Sequence, residues 1–261
     1  MTVVAVLGLG EAGSLIAADL VAASATVRGY DPADVPTPAG VTRAGSEADA
    51  ARGSALVLSV NSAKAAVSAF RAGVAGLRPD AVWADLNTAS PGTKRELAAI
   101  GAEYGITVAD IAMMAPVPGP GHGLRVPMLA SGTGAAAFAE LTRPFGMNLE
   151  VLDGPAGLAA MRKLLRSVFY KGMAASIVEA LAAAREAGYE DWLREHIADE
   201  LAAADASILD RIVTGTSRHA RRRGAEMEAA AEMLTELGVD PIMADASRRL
   251  HEHLAIPPPG P

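Results

Sequence analysis

Through the first 154 residues, short apolar runs alternate with alanine-rich stretches of helical length. The runs are TVVAVLG (2–8), TVRGY (26–30), ALVLSV (55–60), AVWADLN (81–87), ITVADIAMM (106–114), VPMLASG (126–132) and NLEVLDG (148–154). Their β-branched content and four-to-eight-residue length read as buried strands. Helical stretches are expected at Glu11–Ala23, Ser62–Ala75, Pro91–Tyr104 and Gly134–Thr142. Strand and helix in steady alternation predict an α/β fold of the Rossmann type: a doubly wound, mainly parallel sheet covered on both faces.

After Gly154 the pattern changes, and no strand is predicted from Leu158 onward. Residues 157–188 read as one long helix. Residues 191–215 supply one or two more, 217–238 another, and Pro241 opens a last one through about Leu254. The expected organisation is therefore a nucleotide-type domain over residues 1–155 and an all-helical domain over 156–261, joined by the long helix. An all-α domain of about 100 residues has a modest core of its own and gains burial by docking.

Composition narrows the function. Of 261 residues 51% are hydrophobic but only 4% aromatic, so alanine and small aliphatics must do much of the packing. The formal net charge of −7 opposes a duplex nucleic-acid binder. The absence of cysteine excludes a disulfide framework and a thiolate metal site. No membrane span and no basic signal-peptide region is visible, and a cytoplasmic protein is expected.

The first strand runs straight into GLGEAG, with Gly8, Gly10 and Gly13 at GxGxxG spacing, and an alanine-rich helix leaves it. Bare, that spacing says little; between a strand and a helix it reads as a dinucleotide fingerprint. Gly8 permits the tight turn, Gly10 lets backbone approach a pyrophosphate, and Gly13 lets helix pack on strand. The helix N-terminus then offers free N–H groups to the phosphates. Asp31 follows Gly8 by 23 residues at the end of the next strand, where a carboxylate accepts ribose hydroxyls and repels a 2′-phosphate. NAD is the expected cofactor; Arg28 and Arg43 leave NADP open, and a flavin or a nucleotide sugar is the alternative ligand.

On the long helix Met161, Leu164, Leu165, Val168 and Phe169 are expected to form a packing face. Lys163, Ser167, Tyr170 and Lys171 share a polar stripe at i, i+4, i+7 and i+8. The stripe starts just after the last strand. A lysine placed there, near other cations, can exchange a proton near neutral pH. Hydride transfer at an alcohol carbon needs such a partner.

Four segments in order, VLGLGEAG, DLNTASPGTKREL (85–97), DIAMMAPVPGPG (110–121) and GLAAMRKLLRSVFYKG, resemble the β-hydroxyacid dehydrogenases. Within these the chain is most similar to a 6-phosphogluconate dehydrogenase-like branch with a DUF1932 C-terminal domain. The resemblance implies that Gly8, Gly10, Glu11, Ala12 and Gly13 surround the pyrophosphate and Asp31 the adenosine ribose. Val60 and Asn61 would approach the nicotinamide. Asn87 and Thr88 would contact cofactor and substrate. Pro116, Val117 and Pro118 would match the substrate loop, closing over the site, and Lys163 the catalytic lysine, with Ser167 and Asn87 orienting substrate. A homodimer is implied by the same analogy.

Three departures stand out. Pro118-Gly119-Pro120 replaces the serine of the family's substrate loop. Ser167 stands where an asparagine is expected. The family's second lysine falls near Ala225, where Arg222 or Arg223 is either a substitute or a solvated side chain. The substrate is thus expected to be atypical, with an acid group that His122 or Arg125 could meet. Asp85 and Asp110 sit in strands without a histidine partner, His251 and His253 do not share a helix face, and no metal site is expected. The readings are NAD(P)-dependent oxidation of a small β-hydroxy acid or its reverse, imine reduction, or dinucleotide sensing without turnover.

Overall fold

The computed structural model describes residues 2–119 and 123–256. Two compact units divide the chain at Met1–Arg166 and Ser167–Pro261. In order, the first contains β1 (Val3–Leu7), α1 (Glu11–Ala22), β2 (Thr26–Tyr30), β3 (Val41–Arg43), α2 (Glu47–Ala51), β4 (Leu56–Ser59) and α3 (Ala66–Gly73). It continues with β5 (Val82–Asp85), α4 (Pro91–Glu103), β6 (Thr107–Met113), β7 (Met128–Ser131), α5 (Ala135–Thr142), β8 (Leu149–Val151) and the first turns of α6 (Leu158–Glu186).

The strands form one sheet in the order β3-β2-β1-β4-β5-β6-β7-β8, parallel throughout except for the antiparallel β6–β7 pair. Alternation along each strand feeds two cores. Val6, Leu58, Ala84 and Ile111 face one side with Ile16 and Phe138 from the helices. Leu7, Val57, Trp83 and Val108 face the other with Phe70 and Leu97. Burial on both faces is why the strands read as unbroken apolar runs.

Two short elements, β3 and α2, were not expected. The helix expected over Ser62–Ala75 is confined to Ala66–Gly73, followed by a 3-10 turn at Val74–Gly76. Ser62 explains the late start: its hydroxyl accepts the Ala65 N–H, so the preceding residues close a turn instead.

In the second unit α6 continues, followed by α7 (Glu190–Ala203), α8 (Ala206–Arg218), α9 (Ala220–Glu236) and α10 (Ile242–Leu254). Asp205 splits the segment after α6 into two helices by capping α8 through the Ser207 N–H. Pro241 offers α10 no side-chain cap. Glu179 of α6 supplies one instead, accepting the Met243 and Ala244 N–H groups at 2.6 and 2.9 Å. The core of this unit is small and built from Ala183, Ala231, Leu234 and Ala244. Among the described residues no helix is long and apolar enough to cross a membrane.

The packing face expected on the long helix is corrected. Met161, Leu165, Val168 and Phe169 are exposed in the single chain. The buried side of the first turns is made instead by the small Ala159 and Ala160; Ala159 packs with Ala112, Leu129 and Leu152. Alanine wins that side because the helix lies close against the sheet.

Candidate active site

Register aligns the carboxyl ends of the central strands. Leu7 lies beside Tyr30 and Ser59, Ser59 beside Asp85, and Asp85 beside Asp110. The turns carrying Gly8–Gly13, Asp31, Val60–Asn61 and Asn87–Thr88 therefore leave one edge of the sheet. Chain order reverses between β1 and β4, and in such sheets the crevice at that point takes the ligand.

The glycines are required by close approach. Gly8 has φ +100°, and a Cβ there would meet the Val60 carbonyl oxygen at 2.5 Å. At Gly13 a Cβ would meet the Gly8 carbonyl oxygen at 1.9 Å, so only glycine lets α1 start against the turn. Gly10 is different: open space surrounds it. It is the N-cap of α1 with no side-chain bond, Glu11 beside it is exposed and Ala12 half-buried. An uncapped helix N-terminus with room in front of it fits a pyrophosphate.

Asp31 has a structural task that spacing alone did not reveal. Its two carboxylate oxygens accept the Leu9 N–H at 2.8 Å and the Ala33 N–H at 2.9 Å, tying the glycine turn to the end of β2. Arg43 braces the following loop, donating to the carbonyls of Asp31, Ala33 and Val35 and to the Thr37 hydroxyl. Arg28 donates to the Arg52 carbonyl.

At the other end of the crevice Lys163 donates through Nζ to Thr88 Oγ1 at 2.8 Å. Thr88 is exposed just beyond β5. The approach follows from the start of α6. A Cβ on Gly157, φ +99°, would lie 2.8 Å from the Pro91 carbonyl oxygen, so α6 begins against the first residue of α4. Ser167 lies one turn beyond Lys163, in the second unit.

Other expectations shift. Asn87 is buried, and its amide nitrogen donates to Ser59 Oγ and Asp85 Oδ1, so its donors are turned inward rather than toward a substrate. Asn61 accepts the Ser62 N–H. The loop after β6 is not a lid over the crevice in its described part. Val117 and Leu124 are buried in the first unit's core beside α1, and Asp19 of α1 accepts the Leu124 N–H. Val117 is thus a packing residue, because burying two aliphatic side chains outweighs leaving the loop free. Pro116 and Pro118 are exposed. His122 lies outside the described residues. In the second unit Arg222 pairs with Glu226, and Arg223 donates to Thr216.

Sequence reasoning missed a buried cluster beneath the crevice. Lys94 of α4 is 1% exposed and contacts Asp85 and Asp110, both fully buried. The available signal was an aspartate inside each of two apolar strand segments, neither with a histidine.

A family model described as the NAD binding domain of 6-phosphogluconate dehydrogenase matches residues 3–143, and one for a domain of unknown function, DUF1932, matches 184–254. The chain belongs to the 6-phosphogluconate dehydrogenase NAD-binding family. That membership makes it an NAD(P)-dependent oxidoreductase with a small-molecule substrate. A conserved hypothetical protein from Sinorhizobium meliloti is 30% identical, covering 100% of this chain and 91% of its own, with a TM-score of 0.61. A conserved protein of unknown function, described as structurally similar to 3-hydroxyacid dehydrogenases, is 27% identical over 97% and 96% of the two chains, TM-score 0.59. An imine reductase from Myxococcus stipitatus in complex with NADP+ shares the fold at TM-score 0.76 and 17% identity, over 96% and 93%. An uncharacterised 28.5 kDa protein of Methanothermus fervidus is 26% identical, the match spanning 66% of each chain.

Proposed function

We propose that this oxidoreductase moves a hydride between NAD and a small β-hydroxy acid or its keto form, with Lys163 carrying the proton. The observation behind this is the Lys163–Thr88 contact at the strand edge that also bears the glycine turn. Bound NAD supplies the hydride acceptor. As the carbinol C–H bond breaks, the neutral Lys163 amine takes the hydroxyl proton, leaving a carbonyl and an ammonium group. Thr88 holds that amine in place, and Ser167 orients the substrate hydroxyl from the next turn of the helix. Gly8, Gly10, Glu11, Ala12 and Gly13 cradle the pyrophosphate, and Val60 and Asn61 flank the nicotinamide end.

Asp31 favours NAD over NADP, since a carboxylate repels a 2′-phosphate. Arg43 does not offset it, because both terminal nitrogens are engaged by loop oxygens. A homodimer fits the exposed apolar face of α6, where Val168 is 75% and Phe169 64% exposed in a single chain.

Lys163→Ala tests the central reading. Turnover should fall about 10²–10⁴-fold while NAD affinity stays within about twofold. Undiminished turnover in that variant sinks it. The substrate panel should pair hydroxy acids with cyclic imines, because Pro118 replaces the loop serine of the family; activity on imines alone would replace the hydroxy-acid assignment.

A further inference from the structure

Lys94 Nζ donates to the Asp85 carbonyl at 2.7 Å and forms ion pairs with Asp85 Oδ2 at 2.7 Å and Asp110 Oδ1 at 3.1 Å. Neither of these carboxylate oxygens accepts a hydrogen bond among the described residues, so the ion pair to Lys94 stands in its place. The remaining oxygens reach the two segments that bear Thr88 and Lys163. Asp85 Oδ1 accepts the Asn87 amide, next to Thr88. Asp110 Oδ2 accepts the Gly157 N–H at 2.9 Å, the Ala160 N–H at 3.1 Å and the Ser131 hydroxyl at 3.1 Å. Ser131 Oγ in turn accepts the Ala159 N–H at 3.1 Å.

At the first turn of α6 the Gly157, Ala159 and Ala160 N–H groups are thus met by two strand residues, while the Leu158 N–H goes to the Pro155 carbonyl. The Asp110 carboxyl group lies beneath that turn, accepting its N–H groups. The positive end of the α6 dipole complements it. Such a cluster is costly to desolvate and fixes geometry more than it adds stability.

We propose that Lys94, with Asp85 and Asp110, is a positioning residue for the Lys163–Thr88 pair. From one nitrogen it sets the strand end that carries Thr88 and, through Asp110, the helix turn that precedes Lys163. Lys163 lies three residues beyond Ala160, so a small tilt of the first turn displaces its amine from Thr88. Lys94 never touches the reacting atoms; it acts through the two groups that do. This assignment rests on the proposed role of Lys163.

The test is the charge-compensated pair Lys94→Met with Asp110→Asn, in which the amide oxygen introduced at position 110 can still accept the α6 N–H groups. Ser131→Ala is a milder second variant. Three quantities are read on the full chain: NAD affinity, kcat at saturating NAD, and the amide cross-peaks of Thr88 and Lys163 in cofactor-free protein. The expected result is unchanged NAD affinity, a kcat about tenfold lower, and displaced Thr88 and Lys163 cross-peaks; Ser131→Ala shows the same direction, smaller. If either variant folds and keeps both the cross-peaks and kcat of the wild type, the cluster is only structural and the proposal fails. Displaced cross-peaks together with full turnover in Lys163→Ala would instead retain the positioning and remove the proton role of Lys163.

Discussion

The two units bury their apolar surface in different ways. In the first, β1, β4 and β5 are covered on both faces, and the largest side chains, Trp83 and Phe70, meet edge to face at 4.8 Å within the sheet's second core. In the second, four small or medium residues form the core, while Val168, Phe169, Val178, Trp192, Leu209 and Val213 remain exposed in a single chain. Trp83 is fully buried and Trp192 is 63% exposed, although the chain has only these two tryptophans. A sheet flanked by helices finishes its own core. A set of helices with the apolar residues on outer faces finishes it against something else, and a second copy is the occupant the proposal names.

The largest effect should come from breaking the second unit's outer face. Phe169→Asp combined with Val178→Asp should weaken self-association by about a hundredfold or more in sedimentation equilibrium, because two desolvated anchors become charges. The first unit should still bind NAD. The converse test is Gly13→Val. Its side chain must enter the space held by the Gly8 carbonyl, at a cost of about 2–3 kcal/mol or the loss of the turn. NAD affinity should drop by about thirtyfold or more by calorimetry, with self-association untouched.

A smaller effect is expected at Asp31. Asp31→Ala removes the anchor of the Leu9 N–H together with the proposed ribose acceptor. NAD affinity should fall about tenfold, and the preference over NADP should narrow. Titration with both cofactors measures this; equal losses for the two would argue that Asp31 only braces the turn.

The smallest effect lies at the start of α7. Hydrogen bonds from Arg185 and Arg194 hold the Glu190 carboxyl down at about 2, against an ordinary value of 4.5. A depressed folded value means the pair stabilises the fold above about pH 4.5, and that contribution disappears as pH falls through about 2. Glu190 is half-buried between two exposed arginines, so Glu190→Gln should move the melting temperature by roughly a degree at neutral pH. It should also flatten the acid limb of the second unit alone.

Most of the first unit was legible because burial on both faces writes continuous apolar runs, and because a glycine turn between strand and helix has few other uses. The place of Lys163, in the first turns of a helix that follows the last strand, was legible from the change of pattern after Gly154. What escaped depends on contacts between distant elements. β3 and α2 are three and five residues long, too short for a period to show. Lys94 belongs to an ordinary-looking helix, and only the register that sets Asp85 beside Asp110 turns it into the centre of a cluster. Met161, Leu165 and Phe169 have the spacing of a packing face, but periodicity cannot say whether the same chain supplies the other half. The family resemblance implies a loop after β6 that closes over the site, whereas Val117 and Leu124 tie it down beside α1.

The Arg43 brace has a consequence for redesign. Reversing cofactor preference in a nucleotide domain is often framed as swapping the acidic residue at the end of β2 for a small one and adding a cation nearby. Here the nearby cation already exists, and four oxygen atoms hold it. Recruiting it to a phosphate would unmoor the segment from Asp31 to Thr37, so turning Arg43 toward a ligand requires a new loop rather than a new residue.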